Sequence, residues 1–120
     1  MQETKLFGIT NCDSIKRARA WLESAQIKYY FHDFRKQGID AATLERWLVH
    51  VDWQLLLNRR GTTWRKLDPE RKQRTNGGNV CALLSELPSI IKRPVLEHSR
   101  QITVGFSGTS YHQIFNPNCT

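Results

Sequence analysis

Cys12 is the residue whose type and position most favour covalent chemistry. It follows a short apolar stretch, residues 5–9, and precedes a segment with helical periodicity that begins at Ser14. Its sulfur is therefore predicted to lie at a helix N-terminus, where unpaired backbone N–H groups and the helix dipole stabilise a thiolate. A cysteine in that setting has a lowered pKa and is a better nucleophile. Asn11, Asp13 and Ser14 are candidate N-caps, and the alternative for Cys12 is a small helix-cap residue without catalytic role.

The other cysteines bear on how an oxidised Cys12 is reduced again. The third residue after Cys12 is Ile15, so there is no C-x-x-C dithiol at this position. Cys81 lies in an apolar helical run and is predicted to belong to the core. Cys119, near the last residue of the sequence, is an alternative resolving thiol. We favour an external thiol, glutathione or a glutaredoxin, for this step.

Arg60 and Arg93 are the second set of candidate site residues, because each lies in a break between predicted elements. A guanidinium group binds carboxylates and tetrahedral oxyanions in a bidentate manner. Pro94 begins an apolar strand directly after Arg93, and a cis peptide bond there would leave neighbouring backbone free to pair with a peptide substrate. Solvated surface arginines are the alternative interpretation. The four histidines show no metal-ligand spacing, so no metal site is predicted.

The elements that must position these residues follow a mixed α/β pattern. Residues 5–9 and 29–34 predict strands on either side of a helix over 14–25, which is a βαβ unit with parallel strands. Residues 94–98 and 101–106 predict a hairpin, and 110–115 a last short helix. The order is therefore βαβ, a helical insertion, and ββα.

The middle of the chain predicts helices that are separated by polar breaks. Asp40 is expected to cap one helix, and Asp68 followed by Pro69 marks the start of another. A third helix is predicted over residues 79–87. A short apolar stretch and a polar break at 58–63 lie between the first two.

Length and composition limit the classes of protein to consider. The chain has 120 residues, of which 39% are apolar and four are tryptophan, which fits a single domain over 1–120 and excludes disorder. No apolar run reaches the roughly 20 residues that span a bilayer. The N-terminal residues lack a signal-peptide pattern, so we expect a cytoplasmic protein without membrane partners. The odd number of cysteines favours reduced thiols.

The net charge of +7 also bears on the choice of partner. Basic residues are spread along the chain, whereas nucleic-acid binding usually requires a clustered basic footprint. A small anionic substrate accounts for the same charge by simple electrostatic attraction. Nucleic acid is therefore not an expected partner.

Taken in order, several segments resemble the arsenate reductase (ArsC)-like family, in its Spx/YffB subgroup and closest to its YffB-type members. The resemblance covers nearly the whole chain and rests on residues 8–18, 31–38, 57–67, 91–96 and 104–106. It implies an α/β, thioredoxin-like fold with a mixed four-stranded sheet and a helical insertion at about 40–88. We expect a monomer.

The resemblance also implies a set of roles. Cys12 would be the catalytic redox nucleophile, with Arg60, Arg93, Pro94 and Asn11 as substrate- or anion-binding residues and a cis bond before Pro94. No cofactor would be tightly bound, glutathione would be the co-substrate, and glutathione or glutaredoxin would resolve the thiol adduct. The substrate would be a disulfide, a glutathione mixed disulfide or a small oxyanion.

Two departures from the family pattern decide between these activities. Arsenate reductases proper carry a further arginine after the final strand, where this chain reads Gly-Phe-Ser-Gly at 105–108. This favours a glutathione-dependent thiol reductase over arsenate reduction. The alternative is a transcriptional regulator that binds RNA polymerase, as Spx does, although Ile15 stands where the Spx switch usually has a second cysteine. A family member without turnover is a third interpretation.

Overall fold

The computed structural model describes residues 3–115 of the chain. The described residues up to His32 and from Arg93 onward form one compact unit, and Asp33–Lys92 form a second. The first unit carries the sheet and the second is helical, as the predicted insertion is. A single domain over 1–120 stays a prediction.

A four-stranded mixed sheet organises the first unit. Its strands are β1 (Thr4–Gly8), β2 (Tyr30–Asp33), β3 (Val95–His98) and β4 (Gln101–Val104), in the spatial order β2-β1-β3-β4. β1 pairs antiparallel with β3, and β3 pairs antiparallel with β4. The predicted fold class, a thioredoxin-like mixed sheet in the order βαβ and ββα, is confirmed.

Two helices complete the core of this unit, α1 (Asp13–Ser24) and α8 (Gly108–Phe115). The buried residues of α1 recur at spacings of three and four, which places them on one helical face. Ala18 and Leu22 from α1 share a buried cluster with Tyr111 from α8 and with one leucine each from β1 and β3. The apolar face of α1 therefore fixes this helix, and with it the residue that precedes it, against the sheet.

The strand register brings two distant parts of the chain to one end of the sheet. Phe7 pairs with Val95, so the residues that follow β1 and those that precede β3 lie at the same end. The β3–β4 hairpin closes through Ser99 and Arg100, whose φ angles of 51° and 66° are those of a type I′ turn. The register therefore sets which side chains can meet beside Cys12.

The second unit is built from short helices around a buried core. Its elements are α2 (Phe34–Gln37), α3 (Ala41–His50), α4 (Trp53–Leu56), α5 (Thr62–Arg65), α6 (Pro69–Arg74), α7 (Val80–Glu86) and a 3-10 turn (Pro88–Ile90). Asp40 caps α3 as predicted, accepting the Thr43 backbone N–H at 2.8 Å. Trp47 and Leu84 are fully buried in this core.

Three short helices differ from the sequence-based expectations. The predicted second strand ends early because the Asp33 carboxylate accepts the backbone N–H groups of Arg35 at 2.9 Å and Lys36 at 3.3 Å, which starts α2. α4 and α5 occupy an apolar stretch and a polar break for which no helix is predicted. Helices of four residues complete about one turn and leave no periodic pattern in the sequence.

Candidate active site

Cys12 is itself the N-cap residue of α1. Its backbone is extended (φ −151°, ψ 127°), and its carbonyl accepts the Lys16 N–H at 3.0 Å as the first bond of the helix. The predicted N-caps are therefore wrong: Asp13 is the first helical residue, and Asn11 lies in the bend before Cys12. The half-buried sulfur stands where the helix leaves its backbone N–H groups unpaired.

The surroundings of Cys12 lower the pKa of its thiol. Burial acts in the opposite direction and raises the pKa, but the backbone N–H of Ile15 and the Arg93 guanidinium outweigh it. Arg93 acts both by donating a hydrogen bond to the sulfur and by its positive charge, and the Ser14 backbone N–H adds a smaller effect. Each of these groups stabilises the thiolate relative to the thiol.

Arg93 and Pro94 directly precede β3, at the end of the sheet that carries Cys12. The Arg93–Pro94 peptide bond is cis, as the resemblance implies. Pro94 is buried, and its carbonyl accepts the Gly105 backbone N–H at 2.8 Å, which continues the pairing of β3 with β4. Arg93 is half-buried. The sheet thus holds the guanidinium group beside the thiol.

The remaining predicted site residues occupy separate positions. Asn11 is exposed, next to Cys12 in the chain. Arg60 belongs to the helical unit, where it is exposed between α4 and α5, and its backbone N–H donates to the Asn58 side-chain oxygen at 3.2 Å. The structure brings Cys12 and Arg93 together, and the anion-binding roles of Asn11 and Arg60 stay predictions.

Cys81 differs chemically from Cys12. It lies in α7, half-buried rather than fully in the core. Burial and the nearby Glu45 carboxylate raise the pKa of its thiol, which keeps it protonated. Cys119 lies outside the described residues. Of the two described cysteines, Cys12 alone therefore has surroundings that favour a thiolate.

Gly8 belongs to the setting of the thiol and is not among the predicted site residues. It ends β1, and a Cβ atom built on it would lie 2.7 Å from Ile15 Cγ1. The signal in the sequence is a glycine that closes a buried strand, a position that often marks close backbone approach.

Residues 3–115 show neither a metal-ligating cluster nor a membrane-spanning helix. No group of three or more His, Cys, Asp or Glu side chains there is arranged to hold a metal ion. Over the same residues, no helix combines the length and apolar character that crossing a membrane requires.

The ArsC family model matches residues 7–114, nearly the whole chain. The chain belongs to the ArsC family. An uncharacterised Haemophilus influenzae protein is 34% identical to it over 110 residues, covering 92% of this chain and 96% of that protein. The global transcriptional regulator Spx 1 of Lactococcus lactis is 24% identical over 99 residues, covering 81% of this chain and 77% of the regulator.

Solved structures agree with this assignment. A YffB protein shares 44% sequence identity and a TM-score of 0.86, over 90% of this chain and 95% of that one. An arsenate reductase (ArsC) related protein from Brucella melitensis shares 44% identity and a TM-score of 0.74, over 95% of both chains. The predicted membership of the Spx/YffB subgroup of the ArsC family is confirmed.

Proposed function

We propose that this ArsC-family protein is a glutathione-dependent thiol reductase that uses Cys12 as its nucleophile. The observation that carries the proposal is the contact of the Arg93 guanidinium with a thiol at the N-terminus of α1, where its pKa is lowered. A lowered pKa raises the fraction of the thiol present as thiolate, which is the attacking species in thiol–disulfide exchange. The names of the relatives, which include an arsenate reductase related protein, fit redox chemistry at this site.

The proposed cycle has two exchange steps. The Cys12 thiolate attacks the glutathione sulfur of a mixed disulfide, forming a Cys12–glutathione disulfide and releasing the substrate as a thiolate that takes a proton from water. A second glutathione, as its thiolate, then attacks the glutathione sulfur of this adduct. The products are glutathione disulfide and the regenerated Cys12 thiolate. The net reaction converts the mixed disulfide and one free glutathione into the substrate thiol and glutathione disulfide, so one glutathione thiol is oxidised per turnover.

The other site residues have binding roles in this proposal. Arg93 and Arg60 would hold carboxylates of glutathione or an oxyanion, because guanidinium groups bind both in a bidentate manner. Backbone around Arg93 and Pro94 would pair with the peptide part of the substrate, and Asn11 would contribute to substrate or anion binding. A glutaredoxin is the alternative reductant for the second step. No tightly bound cofactor is required.

The direct test compares matched cysteine and arginine variants. Cys12→Ser should abolish glutathione-coupled reduction of a mixed disulfide, whereas Cys81→Ser should leave turnover unchanged. Arg93→Ala should slow alkylation of Cys12 at pH 7 by about tenfold, the usual size of one lost charge-assisted hydrogen bond, and should move the pH profile of alkylation upward. Arg17→Ala, which removes an exposed cation from α1, is the control.

Two results would overturn the proposal. Turnover that survives Cys12→Ser would exclude this thiol as the nucleophile. Alkylation of the wild-type Cys12 that rises only near pH 8.5, as for an unperturbed thiol, would remove the chemical basis for attack at neutral pH.

Arsenate is a weaker candidate substrate than a disulfide in this proposal. Residues 105–108 lack the further arginine that arsenate reductases proper carry after the final strand. Fewer cations leave the charge of a bound oxyanion less compensated. Glutathione-coupled turnover should therefore be slower with arsenate than with a mixed disulfide.

A second candidate function is regulation of transcription through RNA polymerase. The supporting observation is that several curated relatives, at 22–24% identity, are named global transcriptional regulator Spx. Retention of RNA polymerase by the purified protein, without glutathione-coupled turnover, would favour this function.

A further inference from the structure

Gly8 lies against the first turn of α1, the turn that carries the backbone N–H groups near Cys12. A Cβ atom on Gly8 would overlap Ile15 Cδ1 and lie 2.7 Å from Ile15 Cγ1, distances that side chains in folded proteins do not tolerate. Ile15 is fully buried. Because protein interiors are close-packed, its side chain cannot move away from an added Cβ without displacing its own neighbours. The Ile15 side chain can occupy this position beside the strand end only because residue 8 has no side chain.

The residue that fills this space also supplies a donor to the thiol. Among the groups that favour the thiolate, the backbone N–H of Ile15 has the largest effect. The position of that N–H is tied to the Ile15 side chain, because isoleucine in a helix has one strongly preferred χ1 rotamer, so that displacing the side chain displaces its backbone. The packing of Ile15 against Gly8 and the orientation of its N–H toward Cys12 are therefore one geometric feature.

We infer that Gly8 is a positioning residue for Cys12: the space it leaves seats Ile15, and the seated Ile15 holds its backbone N–H toward the sulfur. This inference rests on the proposed function, since it concerns the reactivity of the same thiol. In this inference Gly8 acts only through Ile15. Its effect is therefore expected in the reactivity of Cys12 as well as in stability.

Replacing Gly8 by alanine should reduce that reactivity in a defined way. The added Cβ forces Ile15 and the first turn of α1 away from the strand end, and a hydrogen bond weakens steeply as its distance and angle depart from the optimum. Loss of one such bond to the thiolate corresponds to about three- to tenfold slower alkylation at pH 7. The midpoint of the alkylation pH profile should move to higher pH.

The experiment is a double-mutant cycle with iodoacetamide, in which peptide mass spectrometry follows the modification of Cys12. The variants are Gly8→Ala, Ile15→Ala and the combination of both. A Cβ at position 8 would lie 4.0 Å from Ile15 Cβ, an ordinary contact, so the double variant has room for both alanines. We expect slower alkylation for Gly8→Ala than for the wild type, and the same pH profile for the double variant as for Ile15→Ala alone, because alanine at position 15 leaves nothing for the added Cβ to displace. Folding is checked by circular dichroism.

The result that overturns the inference is a folded Gly8→Ala variant with the wild-type profile. If Gly8→Ala does not fold, Gly8→Ala with Ile15→Val replaces it, because valine lacks Cδ1 but keeps an atom at the Cγ1 position. The midpoint pH of its alkylation should exceed that of Ile15→Val alone, and equal midpoints overturn the inference. The proposed function fails separately, if the wild-type Cys12 itself titrates as an unperturbed thiol.

Discussion

Replacing Tyr111 by phenylalanine is expected to stabilise the protein. Tyr111 is fully buried. Its ring makes edge-on contacts with Trp21 and Phe106, with centroid distances of 5.6 and 4.8 Å. Its hydroxyl, however, has no hydrogen-bond partner within residues 3–115. The substitution therefore keeps the ring contacts and removes only the atom that folding takes out of water without compensation.

The expected gain follows from the cost of that burial. An unsatisfied buried hydroxyl costs roughly 1–3 kcal/mol, and loss of the dispersion contacts of its oxygen offsets part of the gain. We expect the free energy of unfolding to rise by about 1 kcal/mol. The chain has 120 residues. At about 2.1 cal/mol/K of unfolding entropy per residue, this corresponds to a Tm increase of about 4 °C.

The effect of this substitution should also depend on pH. Burial raises the pKa of Tyr111 well above its ordinary value. Above pH 10 the unfolded chain loses the phenolic proton while the folded chain keeps it, so ionisation favours the unfolded state and stability falls as pH rises. The phenylalanine variant lacks this loss at position 111. Its advantage over the wild type should therefore grow between pH 7 and pH 11.

Urea denaturation followed by circular dichroism measures both effects. Tyr30→Phe is the matched control, because Tyr30 is 54% exposed and its hydroxyl can bond to water in the folded and unfolded states alike. The control should change the free energy of unfolding by less than about 0.5 kcal/mol. Destabilisation of the Tyr111→Phe variant by 1 kcal/mol or more would refute the reasoning, since it would mean that the hydroxyl is hydrogen-bonded in the folded protein.

Two further predictions concern local structure. Replacing Ser99-Arg100 by Asn-Gly should raise the free energy of unfolding by about 0.5–1 kcal/mol, because both residues adopt positive φ in the type I′ turn and this pair favours that conformation. Urea denaturation at pH 7 measures it, and a loss of stability would contradict it. Asp40→Ala should cost about 1 kcal/mol by removing the cap of α3, and Asp40→Asn, which keeps the accepting oxygen, should cost less. Equal losses for the two variants in the same assay would speak against capping as the cause.

The elements with a strong sequence pattern are those that the sequence predicts correctly. α1 has its buried residues at helical spacing, and its observed limits, Asp13–Ser24, each differ by one residue from those predicted. The start of α6 after Asp68 is likewise predicted from an aspartate followed by proline. α2 is not predicted, because Phe34 continues an aromatic, β-prone run. There the hydrogen bonds that the Asp33 carboxylate accepts start a helix, although the neighbouring aromatic residues favour a strand.

The site shows the same division between local and long-range information. The position of Cys12 before a helix can be read from the residues around it, whereas the N-cap identity cannot, because three neighbouring polar residues are equally suitable caps. The contact between Arg93 and Cys12 depends on strand pairing across most of the chain, and only the family resemblance predicts a shared site. The close packing of the Ile15 side chain against Gly8 depends on how a strand end and a helical turn approach each other, which no residue pattern specifies.

The register between β1 and β3 therefore controls the chemistry of the thiol as well as the fold. Cys12 takes one set of stabilising groups from its own helix and the other from Arg93, which is far away in sequence. Pairing of Phe7 with Val95 sets the distance between these two sources. A slip of one residue would move Arg93 by about 3.4 Å and turn the side chains of β3 to the opposite face of the sheet. The buried side chains of Leu6 and Leu96, which are paired in this register, oppose such a slip. The apolar core of the sheet thereby maintains the charge environment of the Cys12 thiol, which lies outside that core.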